Sequence, residues 1–413
     1  MEVETPASSP VVEHSGWRAG LNRNVIVLGL VSLFTDISSE MLVPIRFLFL
    51  VNWMGTPLVL ASLIEGLTEA ASSLLKVGVG KRTDRVQRRT PMILLGYSLS
   101  NLAKPLIGWV PSWQPALGLL LTDRIGKAIR GAPRDTMIAD SVPARYRGKA
   151  FGFHRSMDTA GAALGPLLTA LILSRTSGSL PGVFKWTLVP GVLGILIIPL
   201  FLREKPREAS TVPKAAAQVD VPATPLGRRF WTFTLIWALF SLGNSSDSFI
   251  FLRSVDIDAQ LIRLPLYYAA MNVTYALLAT PLGALSDRIG RLPILILSLG
   301  VFALAYAGWN TVTQSWQILG LFLLYGLYYA ATEGIARAFV ADLIPQGRRG
   351  VALGWFTAMT GLAVLPANLA AAYLWNHFGH PAPFRYGALL AAIAAIALLL
   401  CWQALEQKPV RAA

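Results

Sequence analysis

The chain is poor in the residues from which disulfide staples and polar catalytic sites are built. One cysteine, Cys401, and four histidines occur in 413 residues, so an intrachain disulfide and a thiolate metal cluster are both excluded. Charge is scarce as well: Asp, Glu, Lys and Arg make up 14% of the chain, where soluble domains carry about 25%. With 54% hydrophobic residues, that deficit rules out a water-soluble globule and a disordered chain. No Gly-x-x-x-x-Gly-Lys-Ser/Thr phosphate loop is present, because Gly126-Lys127 is followed by Ala128 and Leu121 stands five residues before Gly126. ATP-driven pumping by this chain is therefore not expected. No Ser/His/Asp constellation or metal-ligand cluster is apparent, so the expectation is no enzyme, no cofactor and no metal. Residues 1–17 carry Glu2, Glu4 and Glu13 and lack the apolar core of a secretory signal; residues 1–23 read as a disordered cytoplasmic tail.

Apolar sequence is what the chain has in abundance. A spanning helix needs about 20 mostly apolar residues, and the supply suits roughly eleven or twelve of them. Candidate spans lie near 24–50, 57–80, 91–111, 115–141, 148–174 and 183–202, and again near 230–253, 263–286, 293–311, 314–343, 350–376 and 384–404. Between the series, residues 203–229 carry Arg203, Lys205, Arg207, Lys214, Arg228 and Arg229 among prolines and alanines, and read as a cytoplasmic linker. Residues 405–413 read as a second cytoplasmic tail. The net charge of +14 gathers in alternate connections, which hold Lys81 and Arg82, Arg145 and Arg147, Arg288 and Arg291, and Arg348 and Arg349. The positive-inside rule then places both termini in the cytoplasm of a cell (inner) membrane protein and requires an even number of spans. It also gives the basic excess a topological meaning, so nucleic acid is not an expected partner.

A repeat organises these spans. Gly80, Asp84, Arg85 and Arg88 match Gly283, Asp287, Arg288 and Arg291 at an offset of 203 residues (283 minus 80). Ala139-Asp140 through Pro143, Arg147 and Gly152 match Ala341-Asp342 through Pro345, Arg349 and Gly354 at an offset of 202. Two separate blocks whose offsets agree to within one residue imply two six-span halves, 24–202 and 230–404, related as parallel repeats about an axis along the membrane normal.

On these residues the chain resembles the major facilitator superfamily (MFS), over its whole length apart from the tails and the linker. Gly80, Asp84, Arg85, Arg88 and Arg89 resemble that family's signature loop between spans 2 and 3, with an echo at Gly283, Asp287, Arg288 and Arg291 after span 8. The resemblance implies an all-α membrane protein with twelve transmembrane helices in two pseudo-symmetric six-helix bundles, working by alternating access. It also implies a latch that joins the halves in one state, with Asp140 and Asp342 as arginine partners. Gly161-Ala-Ala-Leu-Gly165-Pro166 is similar to the antiporter motif of drug and metabolite exporters, with Thr169 and Ala170 where that motif has a further glycine pair. Its physical content is a small-xxx-small face for close helix approach and a proline that permits a bend. Arg124 with Lys127 resembles the family's span-4 arginine motif, on a helix that lines the central cavity in the family.

Ionised groups at mid-bilayer cost about 2.5 to 3.5 kcal/mol each on the insertion scale, and this chain has many. Asp36 and Glu40 stand one helical turn apart on span 1, as do Glu65 and Glu69 on span 2. At about 1.5 Å per residue, Asp36 lies about 18 Å from the start of its span and Glu69 about 16 Å from the end of its own. Together with Asp158 on span 5 these five carboxylates are the proton-coupling candidates. Asp123, Lys127, Arg130 and Arg134 share one stripe of span 4 with Arg124 beside it; with Asp247, Glu333 and Arg337 they are candidates for the wall of a substrate cavity. Two readings stay open: a coupling site in which arginines alternate between carboxylate and substrate, or a static network that fixes helix register. Lys76 and Lys104 are expected to snorkel, and Arg46 and Arg253 to anchor at the outer interface. His154 reads as a proton relay or as an interfacial residue. His377 and His380 are too few for a metal site, and Cys401 reads as core filler. Trp355, Tyr267, Tyr268, Tyr325, Tyr328 and Tyr329 either line the C-terminal half of the cavity or pack.

The expected function is secondary active transport of a small molecule, with proton-coupled efflux as the first direction and a single copy of the chain in the lipid bilayer as the working unit. One alternative is uptake or exchange of an anionic metabolite, motivated by Lys127, Arg130 and Arg134. Another is a non-transporting membrane receptor or assembly factor on the same fold, since fold alone does not set function.

Overall fold

The computed structural model describes residues 21–68, 88–143, 146–204, 226–345 and 348–405, and within them the chain is helical with no strand. Glu69, Gly80, Asp84 and Arg85 lie outside the described residues. In the N-terminal half the helices are α1 (Arg23–Trp53), α2 (Leu58–Thr68), α3 (Thr90–Leu106), α4 (Trp113–Ser141), α5 (Arg147–Arg175) and α6 (Leu180–Phe201). The C-terminal half continues with α7 (Arg228–Ile257), α8 (Arg263–Ile289), α9 (Arg291–Thr311), α10 (Ser315–Asp342), α11 (Arg349–Phe378) and α12 (Ala382–Leu400). Eight of them, α1, α5, α6, α7, α9, α10, α11 and α12, are long and apolar enough to cross a membrane by themselves. Helix α4 is 29 residues long, and its acidic and basic residues make it the most charged of the set.

Local chemistry starts these helices where the orphan backbone donors of a first turn find acceptors. The Asn22 side chain accepts from the Val25 backbone at 3.0 Å, and Gln314 and Gln317 form a reciprocal box at the start of α10. Packing then repeats between the halves. Helix α1 packs on α5 and α6, and α3 on α4 and α6; correspondingly α7 packs on α11 and α12, and α9 on α10 and α12. The sequence repeat is thus a repeat of helix neighbours. Many large apolar side chains point outward, Leu400 being 82% exposed, which in a bilayer means contact with acyl chains.

The first helix of each half is broken, and the breaks correspond. Helix α1 turns at Met41 and Leu42, just before Pro44, and α7 unwinds over 244–247; the distance between Met41 and Asn244 is the repeat offset. Backbone groups freed inside a membrane must find partners in neighbouring helices. The Thr169 hydroxyl of α5 donates to the Met41 carbonyl at 2.7 Å, and the Ser246 N–H donates to Asn368 Oδ1 of α11 at 2.8 Å. Thr169, which departs from the motif glycine, therefore has a use of its own.

The halves meet unevenly. At the end opposite the basic connections, here the far end, Phe47 of α1 lies 5.8 Å from Phe249 of α7 between ring centroids, and one apolar core runs through both halves. At the basic end the N-terminal half keeps a separate core around Val31, Tyr97, Met137 and Ile198. Hydrogen bonds between the halves run from Tyr268 to Glu40 (3.0 Å), Ser248 to Glu65 (2.8 Å), Asn272 to the Ala162 carbonyl (3.1 Å) and Arg155 to Tyr275 (3.3 Å). The first three fall in the middle or toward the far end of their helices, while Arg155 stands in the basic-end third of α5. In the far-end connection between α7 and α8, burial works against the Asp258 carboxylate, but donors from the Gln260 backbone, Arg263 and Tyr267 outweigh it and hold its pKa below the usual range.

Candidate central cavity

At the level of the two breaks a cavity of about 340 Å³ opens between the halves. The N-terminal half contributes Arg46 of α1, Glu65 of α2 and Arg124 of α4; the unwound stretch of α7, with Asp247, and Tyr329 and Asn368 face them. Arg46 Nη2 lies 2.7 Å from Glu65 Oε1, and the same oxygen accepts from Ser248 Oγ at 2.8 Å, so one carboxylate ties an arginine of its own half to a serine of the other. The Glu65 side chain is 10% exposed and its second oxygen has no hydrogen-bond partner. Asp247 Oδ1 accepts from the Tyr325 phenol at 2.8 Å, and Tyr329 donates to the same carboxylate at 3.1 to 3.2 Å. A cavity that is concave, small and lined by a few convergent polar groups on otherwise apolar helices has the character of a ligand site.

Among the residues read as cavity wall, the structure divides the span-4 stripe. Arg124 lines the cavity, whereas Asp123 is buried against α3, accepting from Ser100 at 2.5 Å with Lys127 Nζ at 3.7 Å. Arg130, 6% exposed, stacks over the Tyr97 ring of α3 at 4.3 Å. Arg134 pairs with its neighbour Asp135 at 2.8 Å. The stripe therefore does not face the void as a unit: Gly96 and Gly126 let α3 and α4 approach so closely that the charged face is sandwiched between them. Glu333 accepts from Tyr275 at 2.9 Å and lies 3.9 Å from Arg337, which with Arg155 makes a polar bridge between α5, α8 and α10 rather than a wall of this cavity.

The carboxylates of α1 and α5 gather at the seam between those helices, outside the cavity lining. A Cβ on Gly161 would stand 2.8 Å from the Cβ of Asp36, and one on Gly165 2.8 Å from that of Glu40. The two glycines therefore seat the acidic face of α1. Asp158 accepts from Ser32 at 2.6 Å and lies 3.5 Å from the buried His154. Lys104 does not snorkel. It is 4% exposed, and its ammonium donates to Ser39 at 2.8 Å and Asn101 at 2.9 Å. Arg46 is likewise not an interfacial anchor, because beyond the break in α1 it is turned to Glu65; Arg253 instead donates to the Trp309 and Val312 carbonyls at the far end. Residues that sequence reasoning passed over are Asn244, Ser246 and Asn368. The run of small polar residues after Gly243 marked the break, but Asn368 carried no signal in its own helix.

The Major Facilitator Superfamily model matches residues 28–270 and 251–412. The chain belongs to the major facilitator superfamily. It is similar to an MFS-type transporter of Methanocaldococcus jannaschii, 36% identical over 387 residues that cover 92% of this chain and 95% of the relative. Among solved structures it resembles a POT family transporter in complex with 5-aminolevulinic acid (TM-score 0.77, 12% identity, 96% and 99% of the two chains). It also resembles a bacterial homolog of the lysosomal transporter Spinster in an inward-facing, occupied conformation (TM-score 0.72, 16% identity, 94% and 98%). These identities carry the fold alone. As an MFS transporter the chain is a multi-pass membrane protein that moves a small molecule and is not an enzyme.

Within this MFS transporter, the described parts of the signature loops bind inside each half. Arg89 pairs with Asp140 at 2.7 Å, joining α3 to α4, and Arg291 pairs with Asp342 at 2.6 Å and lies 3.5 Å from Asp287, joining α9 to α10. Arg88 and Arg288 are exposed. In the state described here Arg89 and Arg291 thus tie neighbouring helices of one half.

Proposed function

We propose that the protein is a proton-coupled exporter of a small polar molecule in the cell membrane, with both termini cytoplasmic and one copy of the chain as the working unit. The two halves, 24–202 and 230–404, rock about the central cavity. The observation that carries the reading is that carboxylates of opposite halves, Glu65 and Asp247, face one cavity at matched helix breaks. The closed far end and the separate core at the basic end support an inward-facing state. Glu65 is bonded across the interface, so its protonation would weaken the far-end contact, which is what coupling requires. Asp36, Glu40 and Asp158 at the α1–α5 seam provide further proton positions beside the antiporter-like glycines Gly161 and Gly165 and Pro166.

Purified protein in proteoliposomes with an imposed pH gradient, challenged with a panel of small molecules, tests this. At least one compound should discharge the gradient through the native protein but not through Glu65→Gln or Asp36→Asn. Cargo movement that leaves the gradient intact, or full discharge through both variants, removes the coupling. Arg46 and Arg124 in the same cavity favour a second reading, uptake or exchange of an anionic metabolite, in which Arg124→Gln abolishes transport of anions specifically.

A further inference from the structure

Two polar atoms of residues in the cavity wall are left without a hydrogen-bond partner, one from each half. On the N-terminal side it is Glu65 Oε2: Oε1 of the same carboxylate is taken by Arg46 at 2.7 Å and Ser248 at 2.8 Å, and the side chain is 10% exposed. On the C-terminal side it is Asn368 Nδ2, in a residue 1% exposed. The Ser246 N–H donates to Asn368 Oδ1 at 2.8 Å, which fixes the amide so that its free end is the donor. Both residues line the cavity, and both atoms are sealed from water, so solvent does not satisfy them. Buried polar groups are nearly always bonded, and two exceptions around one void call for a molecule that supplies what is missing.

From this we infer that the cargo is a neutral polyhydroxylated molecule of monosaccharide size, bonded to Glu65 Oε2 and Asn368 Nδ2 as the walls close on it. The inference rests on the reading of this cavity as the cargo site and deepens it. What is missing is a donor for Glu65 and an acceptor for Asn368, and neither demand carries a charge: Glu65 is already paired with Arg46, and the amide is neutral. An ammonium offers donors alone and a carboxylate acceptors alone, whereas a hydroxyl offers both. The Asp247 carboxylate already accepts from the phenols of Tyr325 and Tyr329. Asn244 and Ser246 add polar groups to the wall and Val43, Phe251 and Val364 apolar ones, a mixture that suits a ring with hydroxyls at its edge and C–H groups on its faces. Size agrees: at about 30 Å³ per water-sized group, a cavity of about 340 Å³ holds roughly eleven such groups. That is a sugar or cyclitol rather than a large amphipathic drug. Because the two unmet atoms belong to different halves, a cargo bonded to both bridges them.

The experiment uses the native full-length protein in lipid nanodiscs. Calorimetric titration is made with the hydroxylated probes D-glucose, myo-inositol and xylitol. The controls are cyclohexylamine, cyclohexanecarboxylate, the zwitterion 4-aminobutyrate, and cyclohexanecarboxamide, which offers donor and acceptor through an amide instead of hydroxyls. At least one hydroxylated probe should bind at least tenfold more tightly than every control. Asn368→Asp keeps an acceptor for the Ser246 N–H and removes the free donor, so it should lower that affinity at least tenfold; a side chain that only caps the break in α7 predicts native affinity in this variant. Binding of any control within tenfold of the best hydroxylated probe overturns the inference, as does the absence of binding by all three probes or native affinity in Asn368→Asp. The native panel decides even where the variant fails to fold. Thiol labelling of Asn244→Cys, in a Cys401→Ser background, from each membrane side separately reports alternating access without any ligand. If labelling alternates but no hydroxylated probe binds, only the cargo assignment falls; if labelling is one-sided, the transport reading falls with it.

Discussion

Ser248→Ala removes one atom at the place where the two halves touch. The Ser248 hydroxyl donates to Glu65 Oε1 at 2.8 Å, Ser248 is 3% exposed, and the Arg46–Glu65 ion pair stays intact because it uses a different donor. A hydrogen bond to a charged group contributes about 1.5 to 3 kcal/mol. When the far end opens, that contact is lost and both groups meet water, so the bond stabilises only the closed arrangement. At about 1.4 kcal/mol per factor of ten, its removal should shift the equilibrium toward far-end opening roughly tenfold to a hundredfold. The assay is the labelling rate of Asn244→Cys, in the Cys401→Ser background, by an impermeant maleimide applied from the far-end side of oriented proteoliposomes. Ser298→Ala is the control, since that buried hydroxyl donates to the Leu295 carbonyl of its own helix. A rise of at least tenfold with Ser248→Ala and none with Ser298→Ala is expected. A change below twofold, or an equal change in the control, would refute the assignment of Ser248 and Glu65 as a contact that holds the far end shut.

Two further outcomes follow from packing and from charge. Gly165→Leu gains about 1 kcal/mol of helix propensity but places its Cβ 2.8 to 2.9 Å from Glu40 and from the backbone of Ile37 and Met41. Overpacking against backbone costs up to about 3 kcal/mol, so a net loss of about 2 kcal/mol is expected, seen as a lower unfolding temperature in detergent; stability equal to the native protein would show that α1 yields freely. For Asp258, the folded pKa is depressed, so its ionised form contributes stability that is complete above the unfolded value of about 3.9 and is lost as pH falls through the folded one. Asp258→Asn should therefore unfold at a lower temperature than the native protein at pH 7, and the gap should close on acidification below about pH 4. A gap that is constant with pH would mean that the carboxylate's charge is not what holds the connection between α7 and α8.

Much of the architecture was legible from residue order. The runs of apolar residues placed the helices, and the offsets of the two loop blocks, equal to within one residue, announced that helix neighbours would repeat, as α1 on α5 and α7 on α11 do. The site was legible in part. Glu65, Arg124 and Asp247 were singled out as charges that have no place in oil, and each lines the cavity. Arg46 and Lys104 were misread because distance from a span end is a poor guide where helices break or where Ser39 and Asn101 offer an ammonium three-dimensional company. Arg124 stands beside the stripe that holds Asp123 and Arg130, about 100° further round the helix, and rotation of α4 decides that Arg124 meets the void while Asp123 and Arg130 meet α3.

The loop motifs carried the resemblance to the MFS that the family model shows, and the order of residues by itself determined that this chain lives in a membrane, that it is helical and that it is built twice. Those properties are sums over local composition and spacing, and no distant contact can reverse them. Which ionised groups share a cavity was settled only by tertiary structure. It depends on the breaks at Met41 and Asn244, on glycines that let α5 seat the acidic face of α1, and on how far each helix turns about its own axis. Such rotations are set by side chains on other helices, from 23 residues away for Ser100 on Asp123 to 183 for Ser248 on Glu65, and a few tens of degrees suffice to exchange a partner in water for one in the core.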